Sequence, residues 1–215
     1  MASVVCFIIV PFAIYTLSYI PYTSALGRCI TAGNLISDMW NNANNMLWYH
    51  GNFLRESGHI YQSSWWMMML DVRPFLYYVR YYETSHAVIG VFSNPLIAIG
   101  GLAALYFTLN DFLRTKSKES YVIIVGYLAQ LLPWVLITRT MFSYHYFPSV
   151  IFLILAICSV FCAIIQRMPE YRWMIYLFSG VAAGVFFMLL PPTVGIQTPD
   201  WYSALFVKWL PSWWF

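Results

Sequence analysis

The stretch Leu131-Leu132-Pro133-Trp134, followed by Arg139 and then by Tyr144-His145-Tyr146-Phe147-Pro148, joins the end of one apolar run to the start of the next. It places a permanent cation and a titratable imidazole at a membrane boundary. An Arg at the centre of a spanning helix costs roughly 2.5–3.5 kcal/mol on insertion scales, so polar groups near this depth face a cavity or a partner. Two readings of Arg139 stand at this point. Its guanidinium snorkels to the headgroups while Tyr144, His145 and Tyr146 form part of an interfacial aromatic belt, or it holds an anion. A planar, weakly hydrated guanidinium suits the second task, because its fork matches phosphate oxygens in a bidentate way. His145 would then add a donor or hold Arg139 in place, and Tyr144 and Tyr146 would donate hydrogen bonds or line a pocket. Pro133 denies the Ala129 carbonyl its helical partner, which marks a kink beside a cavity or one satisfied by a neighbouring helix.

A second constellation lies in a long polar loop: Tyr49-His50, then His59-Ile60-Tyr61-Gln62-Ser63-Ser64-Trp65-Trp66, then Arg73-Pro74. Trp65 and Trp66 either stack on a sugar or peptide or anchor at the interface. Arg73 has the chemistry to pair with a phosphate or a carboxylate. His50 and His59 are too far apart in sequence for a compact ligand pair, so neither a metal nor another cofactor is expected.

Those residues need elements to hold them, and composition says of what kind. The chain is 61% hydrophobic and 20% aromatic with only 9% charged residues, against roughly 25% charged in a soluble domain. It reads as an integral membrane protein. A net charge of +3 without a solvated basic patch argues against nucleic acid. Cys6, Cys158 and Cys162 fall inside apolar runs and Cys29 alone in a loop, so no structural disulfide is expected.

Five apolar runs are long enough to cross a bilayer: 2–20, about 87–109, 121–137, 147–165 and 173–190. The first has no basic residues before it and carries Pro11, which favours a retained span over a cleaved leader. Arg114, Lys116 and Lys118 crowd one short connection, and Arg167 and Arg172 another. The positive-inside rule puts both in the cytoplasm, with the N-terminus on that side and the 21–86 loop, the Arg139 junction and the tail outside. The expected organisation is a transmembrane helix at 1–20, an external loop with an amphipathic helix at 21–86, a four-helix transmembrane region at 87–190 and an external aromatic tail at 191–215. The fold class is therefore all-α and polytopic.

Within the loop, Ile36, Met39, Trp40, Ala43, Met46, Leu47 and Leu54 recur at helical spacing, with Asp38 and Asn41 mostly off that stripe. His50 falls on the stripe, as a packing residue or a ligand. Residues 75–82, rich in aromatics, read as a short extended segment. Gly180 and Gly184 form a small-x-x-x-small pair that predicts close helix packing.

Taken together, the two constellations resemble the C-terminal membrane region of bacterial dolichyl-phosphate-mannose protein O-mannosyltransferases, of glycosyltransferase family 39 and the GT-C class. The likeness runs from Ile14-Tyr15-Thr16-Leu17-Ser18-Tyr19-Ile20-Pro21 to Trp209, Trp213 and Trp214. One departure is Trp65-Trp66-Met67-Met68-Met69, where family members tend to read Trp-Trp-x-Trp-Pro.

The resemblance implies transfer of mannose from a polyprenyl phosphate to Ser or Thr of exported proteins at the cell membrane. Arg139, His145, Tyr144, Tyr146, His50, His59, Trp65, Trp66 and Arg73 are the expected substrate-binding residues. It also implies an N-terminal half carrying an acidic catalytic pair, which this sequence lacks; Asp38, Glu56, Asp71, Glu83 and Asp200 do not match that motif. The chain by itself is thus expected to be inactive, with that half, the bilayer, the lipid donor and the acceptor protein as partners. The rival expectation is a non-catalytic membrane module that binds lipid phosphate.

Overall fold

The computed structural model describes residues 2–53, 58–137 and 139–213, so Leu54, Glu56 and Trp214 lie outside the described residues. The chain divides into two compact units, Met1–Ser57 and Gly58–Phe215.

In the first unit, helix α1 (Ala2–Ala25) is long and apolar enough to span a membrane. Its hydrogen-bond ladder widens at Val5–Ile9 and turns at Ser18-Tyr19 before Pro21 restarts it. Thr31 caps α2 (Ala32–Trp48) by accepting the Asn34 N–H at 3.2 Å, and the helix continues as a π turn over Tyr49–Phe53. Leu35 and Met39 pack on Tyr19. Asp38, placed off the apolar stripe by sequence, is instead buried with them at 3% exposure. The Thr23 hydroxyl donates to it at 2.8 Å and the Arg28 guanidinium pairs with it, which satisfies a charge that burial would otherwise penalise. Trp40, Met46 and Leu47 on the apolar stripe are exposed.

The second unit opens with a short helix, α3 (Trp65–Met69), and an antiparallel hairpin of β1 (Phe75–Tyr81) and β2 (Ser85–Val91). The apolar run expected to begin a span near residue 87 is therefore strand as far as Val91. Too short to cross before the turn signals at Ser93 and Asn94, it buries its faces in a sheet instead. The true span, α4 (Pro95–Thr115), starts where Asn94 accepts the Leu96 and Ile97 N–H groups and Pro95 fills the first turn.

Lys116 ends α4 in a left-handed conformation (φ 56°). Ser117 then caps α5 (Lys118–Leu136), which runs through Pro133. A 3₁₀ turn, Ser143–Tyr146, leads into α6 (Phe147–Arg167), and α7 (Trp173–Val194) ends at Gly195 (φ 79°). Beyond it β3 (Gln197–Pro199) adds to β2, giving the sheet order β1-β2-β3. With α1, these four helices make five of membrane-spanning length and hydropathy, and the chain is a multi-pass membrane protein.

Helix α6 packs on both α4 and α5. The close approaches are at Gly101, where a Cβ would come 2.6 Å from the Leu153 Cβ, and at Gly126, where it would overlap the Phe152 ring. Gly180 and Gly184 meet nothing within 4 Å, so the expected packing role falls to other glycines. Short connections at 116–117 and 168–172 force the helices up and down. Residues 58–94, 139–146 and 195–213 consequently share one end of the bundle, where Asp200 donates its N–H to Thr84 O (3.2 Å) and the Trp213 indole donates to Asp71 O (3.0 Å).

Candidate functional site

At that end, Ser63 bonds to both constellations. Its N–H donates to Met141 O at 2.8 Å and its hydroxyl to Arg73 O at 3.1 Å. Beneath it Met68, Tyr127, Leu131, Met141, Tyr146 and Leu153 form one buried cluster, so α3, α5, α6 and the junction share a floor.

Arg139 lies half-buried in the connection between α5 and the 3₁₀ turn. It is near enough to Tyr144 and His145 for its charge to act on both. The three ion pairs among the described residues join Arg28 to Asp38, His86 to Asp200 and Arg167 to Asp111, so none engages Arg139. His145 is held from both sides: its Nδ1 lies 3.0 Å from Phe142 O and 3.2 Å from Phe142 N, and its ring sits edge-on to Trp134 (4.9 Å) and stacked on Tyr144 (4.5 Å). The main chain occupies Nδ1, which leaves Nε2 as the nitrogen for a ligand.

His59 joins the same group through Phe142 (5.2 Å, edge-on) and Phe75 (6.0 Å, stacked), and its Nδ1 accepts the Tyr61 N–H at 3.1 Å. Phe75 is the hub, with Phe142 at 4.8 Å and Tyr144 at 5.6 Å. Neither Phe75 nor Phe142 was singled out by sequence, because a Phe in an aromatic-rich chain carries no signal until its neighbours are known. Burial lifts the Tyr61 hydroxyl above its usual range. Arg73 reaches the Gln62 carbonyl at 3.4 Å, while its buried Nε has no hydrogen-bond partner among the described residues.

The remaining expected residues are placed differently. Tyr146 turns into the core at 1% exposure, its hydroxyl 2.8 Å from that of Tyr127. Trp65 and Trp66 stand exposed on α3. His50 belongs to the first unit, where its ring lies edge-on to Tyr49 at 5.7 Å. Among the described residues no cluster of three or more His, Cys, Asp or Glu has metal-binding proximity.

Beside the junction a cleft of about 240 Å³ opens between α4 and α6, with Ile97, Phe147, Val150, Ile151 and Ile154 as its walls and Ser93 and Asn94 at its polar edge. The arrangement offers a guanidinium and an imidazole Nε2 that have no ion-pair or hydrogen-bond partner among the described residues, and an aromatic wall beside an apolar slot. It can hold an anionic headgroup attached to an apolar chain.

The chain is 23% identical to the polyprenol-phosphate-mannose–protein mannosyltransferases of two strains of Mycolicibacterium smegmatis, an alignment over 95% of this chain and 46% of theirs. It thus spans about half the length of these curated relatives. Its fold superposes on the S. cerevisiae protein O-mannosyltransferase Pmt1-Pmt2 complex bound to the sugar donor, with a TM-score of 0.63 and 16% identity over 82% of this chain and 26% of that one. Residues 35–213 match the family described as the C-terminal four TMM region of protein-O-mannosyltransferase, and the chain belongs to that family.

Proposed function

We propose that this chain is the lipid-carrier side of a protein O-mannosyltransferase, which moves mannose from a polyprenyl phosphate to Ser or Thr of exported proteins at the outer face of the cell membrane. The observation that carries the reading is Arg139: a half-buried cation, unmatched by any ion pair among the described residues, beside His145 and Tyr144. The donor's phosphate sits against Arg139 and the His145 Nε2, its first prenyl units in the cleft between α4 and α6, and mannose against Tyr144 and Phe75. The Mycolicibacterium relatives support the donor chemistry by name.

In the reaction the acceptor hydroxyl oxygen attacks the anomeric carbon, the bond from that carbon to the phosphate oxygen breaks, and polyprenyl phosphate leaves with the electron pair. Fixed donors aimed at the charge that develops on the leaving phosphate can contribute several kcal/mol in a dry site. The acceptor proton goes to a base supplied by the N-terminal half of the enzyme.

The test is transfer of labelled mannose from polyprenyl-phosphate mannose to a Thr peptide, by the chain alone and with a compatible N-terminal half. Binding of donor by the chain alone, with transfer only in the complemented pair, is the expected result. Failure of the chain to bind polyprenyl phosphate would overturn the assignment.

A further inference from the structure

We infer that the open edge of β1 binds the acceptor polypeptide as an added antiparallel or parallel strand, so that the acceptor is recognised through its main chain. This rests on the transferase reading above and specifies how the second substrate reaches that site.

The sheet order is β1-β2-β3, and among the described residues no strand pairs with the outer edge of β1. Which main-chain groups that edge offers follows from the register. Tyr82 N–H donates to Ser85 O (2.8 Å), so Tyr82 and Ser85 face each other across a hydrogen-bonded position. In an antiparallel pair such positions alternate, and the pairs Tyr81↔His86 and Val79↔Val88 therefore direct their N–H and C=O groups away from each other. His86 supplies the check: its outward groups meet β3, where it pairs with Thr198. Among the described residues Tyr81 and Val79 have no such neighbour, and they present their amides and carbonyls to the open side.

Natural sheets blunt an exposed edge with Pro, Lys, inward charges or extreme shortness. The seven residues of β1 contain no Pro or Lys. Its one charge, Arg80, folds back over the Tyr82 ring at 5.3 Å. The side chains flanking the edge are exposed tyrosines, Tyr77, Tyr78 and Tyr81, a residue type that supplies large contact area at low entropic cost when a polypeptide is bound.

The edge also leads somewhere. Pairing is interrupted between Leu76 and Tyr78 by a bulge, a device that ends a ladder and re-aims a side chain next to functional sites. The next residues toward the N-terminus are Tyr77, whose ring packs edge-on to Phe75 at 4.7 Å, and Phe75 itself, the hub of the donor-side aromatic group. A segment paired along Val79–Tyr81 is thus released at the bulge, and its adjoining residue at that end, the Ser or Thr, arrives beside Tyr144. A strand edge reads amides and carbonyls common to all sequences, with only alternate side chains meeting the surface.

The experiment measures binding of a dye-labelled heptapeptide, a central Thr flanked by Ala and Val, to the 215-residue chain in lipid nanodiscs. A companion set of peptides carries one backbone N-methyl group at each position in turn. Methylation at every second amide is expected to weaken binding about fivefold to tenfold, with little effect at the positions between, because only alternate amides face a partner strand. Val79→Pro, which removes an edge N–H without touching the β1–β2 ladder, is expected to weaken peptide binding equally while polyprenyl phosphate binding stays unchanged. Uniform effects of N-methylation, full binding by the Val79→Pro chain, or no peptide binding by a chain that still binds polyprenyl phosphate would each overturn the inference. Loss of lipid-phosphate binding with the period-two peptide pattern intact would instead overturn only the donor assignment.

Discussion

The Ser63 amide donates to the Met141 carbonyl at 2.8 Å. This one bond fastens the loop before α3 to the connection after α5. Through the Ser63 hydroxyl the same residue also holds the Arg73 carbonyl, at 3.1 Å. One short polar residue of the second constellation thereby brings the chain segments of two arginines to one place. Its backbone bond is out of reach of side-chain truncation, so Ser63→Ala keeps this fastening while losing the bond to Arg73.

Arg139→Lys is expected to weaken polyprenyl phosphate binding by about tenfold, since a point charge cannot reproduce a bidentate fork. Arg139→Gln should weaken it further. Titration of a labelled polyprenyl phosphate into nanodisc-embedded chain reads both, and equal affinity in all three proteins would remove Arg139 from the site.

Gly126→Ala is expected to destabilise the bundle by about 1–3 kcal/mol, the usual cost of overpacking, because its new Cβ would collide with the Phe152 ring. Gly180→Ala should leave the stability of this unit unchanged, since its Cβ would meet nothing within 4 Å. Thermal unfolding in detergent compares the two, and equal shifts would contradict the helix contacts described.

How much of this was legible beforehand depends on which force set each feature. The spans were readable because twenty apolar residues have one stable solution in a bilayer, and the outcome differs mainly at ends fixed by caps such as Asn94. The residues after His86 misled because a short apolar run fits a buried strand as well as a helix start, and only pairing with β1 and β3 decides. Asp38 misled because its burial depends on Thr23 and Arg28, which no periodicity reveals. Around Arg139 the polar residues stood out by rarity in an apolar chain, whereas Phe75 and Phe142 did not. Tyr146 sat one residue from His145 in sequence, yet the 3₁₀ turn sends it into the core against Tyr127.

Topology is testable on the same grounds. With Lys116 and Arg167 at one end of the bundle and Trp65 at the other, single-cysteine versions at 116 and 167 should resist a membrane-impermeant maleimide in intact cells, while position 65 should label. Labelling at 116 together with protection at 65 would invert the assignment.

The last prediction concerns Asp71, whose buried carboxyl holds Ser93 while the main chain at 71–72 anchors the tail. Its Oδ2 accepts the Ser93 N–H, its own carbonyl accepts the Trp213 indole N–H at 3.0 Å, and the Val72 carbonyl accepts the Ser212 hydroxyl. The other carboxyl oxygen is buried without a hydrogen-bond partner among the described residues. Burial pushes the Asp71 pKa from 3.8 up to about 7, with the Ser93 bond pulling the other way. The folded chain therefore holds this proton more tightly than the unfolded chain does. Its contribution to stability is complete below about pH 4 and is lost as pH rises through 7, a change of order a few kcal/mol. Docking of the tail should accordingly loosen between pH 5.5 and 8, read as faster proteolysis after Trp209 and a red shift of tryptophan emission. Asp71→Asn retains an oxygen for the Ser93 N–H and removes the titration, so its profile should be flat across that window. A wild-type profile that is itself flat, or one that Asp71→Asn leaves unchanged, would show that the tail is held by the packing of Trp213 on Phe92 and not by the protonation of this carboxyl.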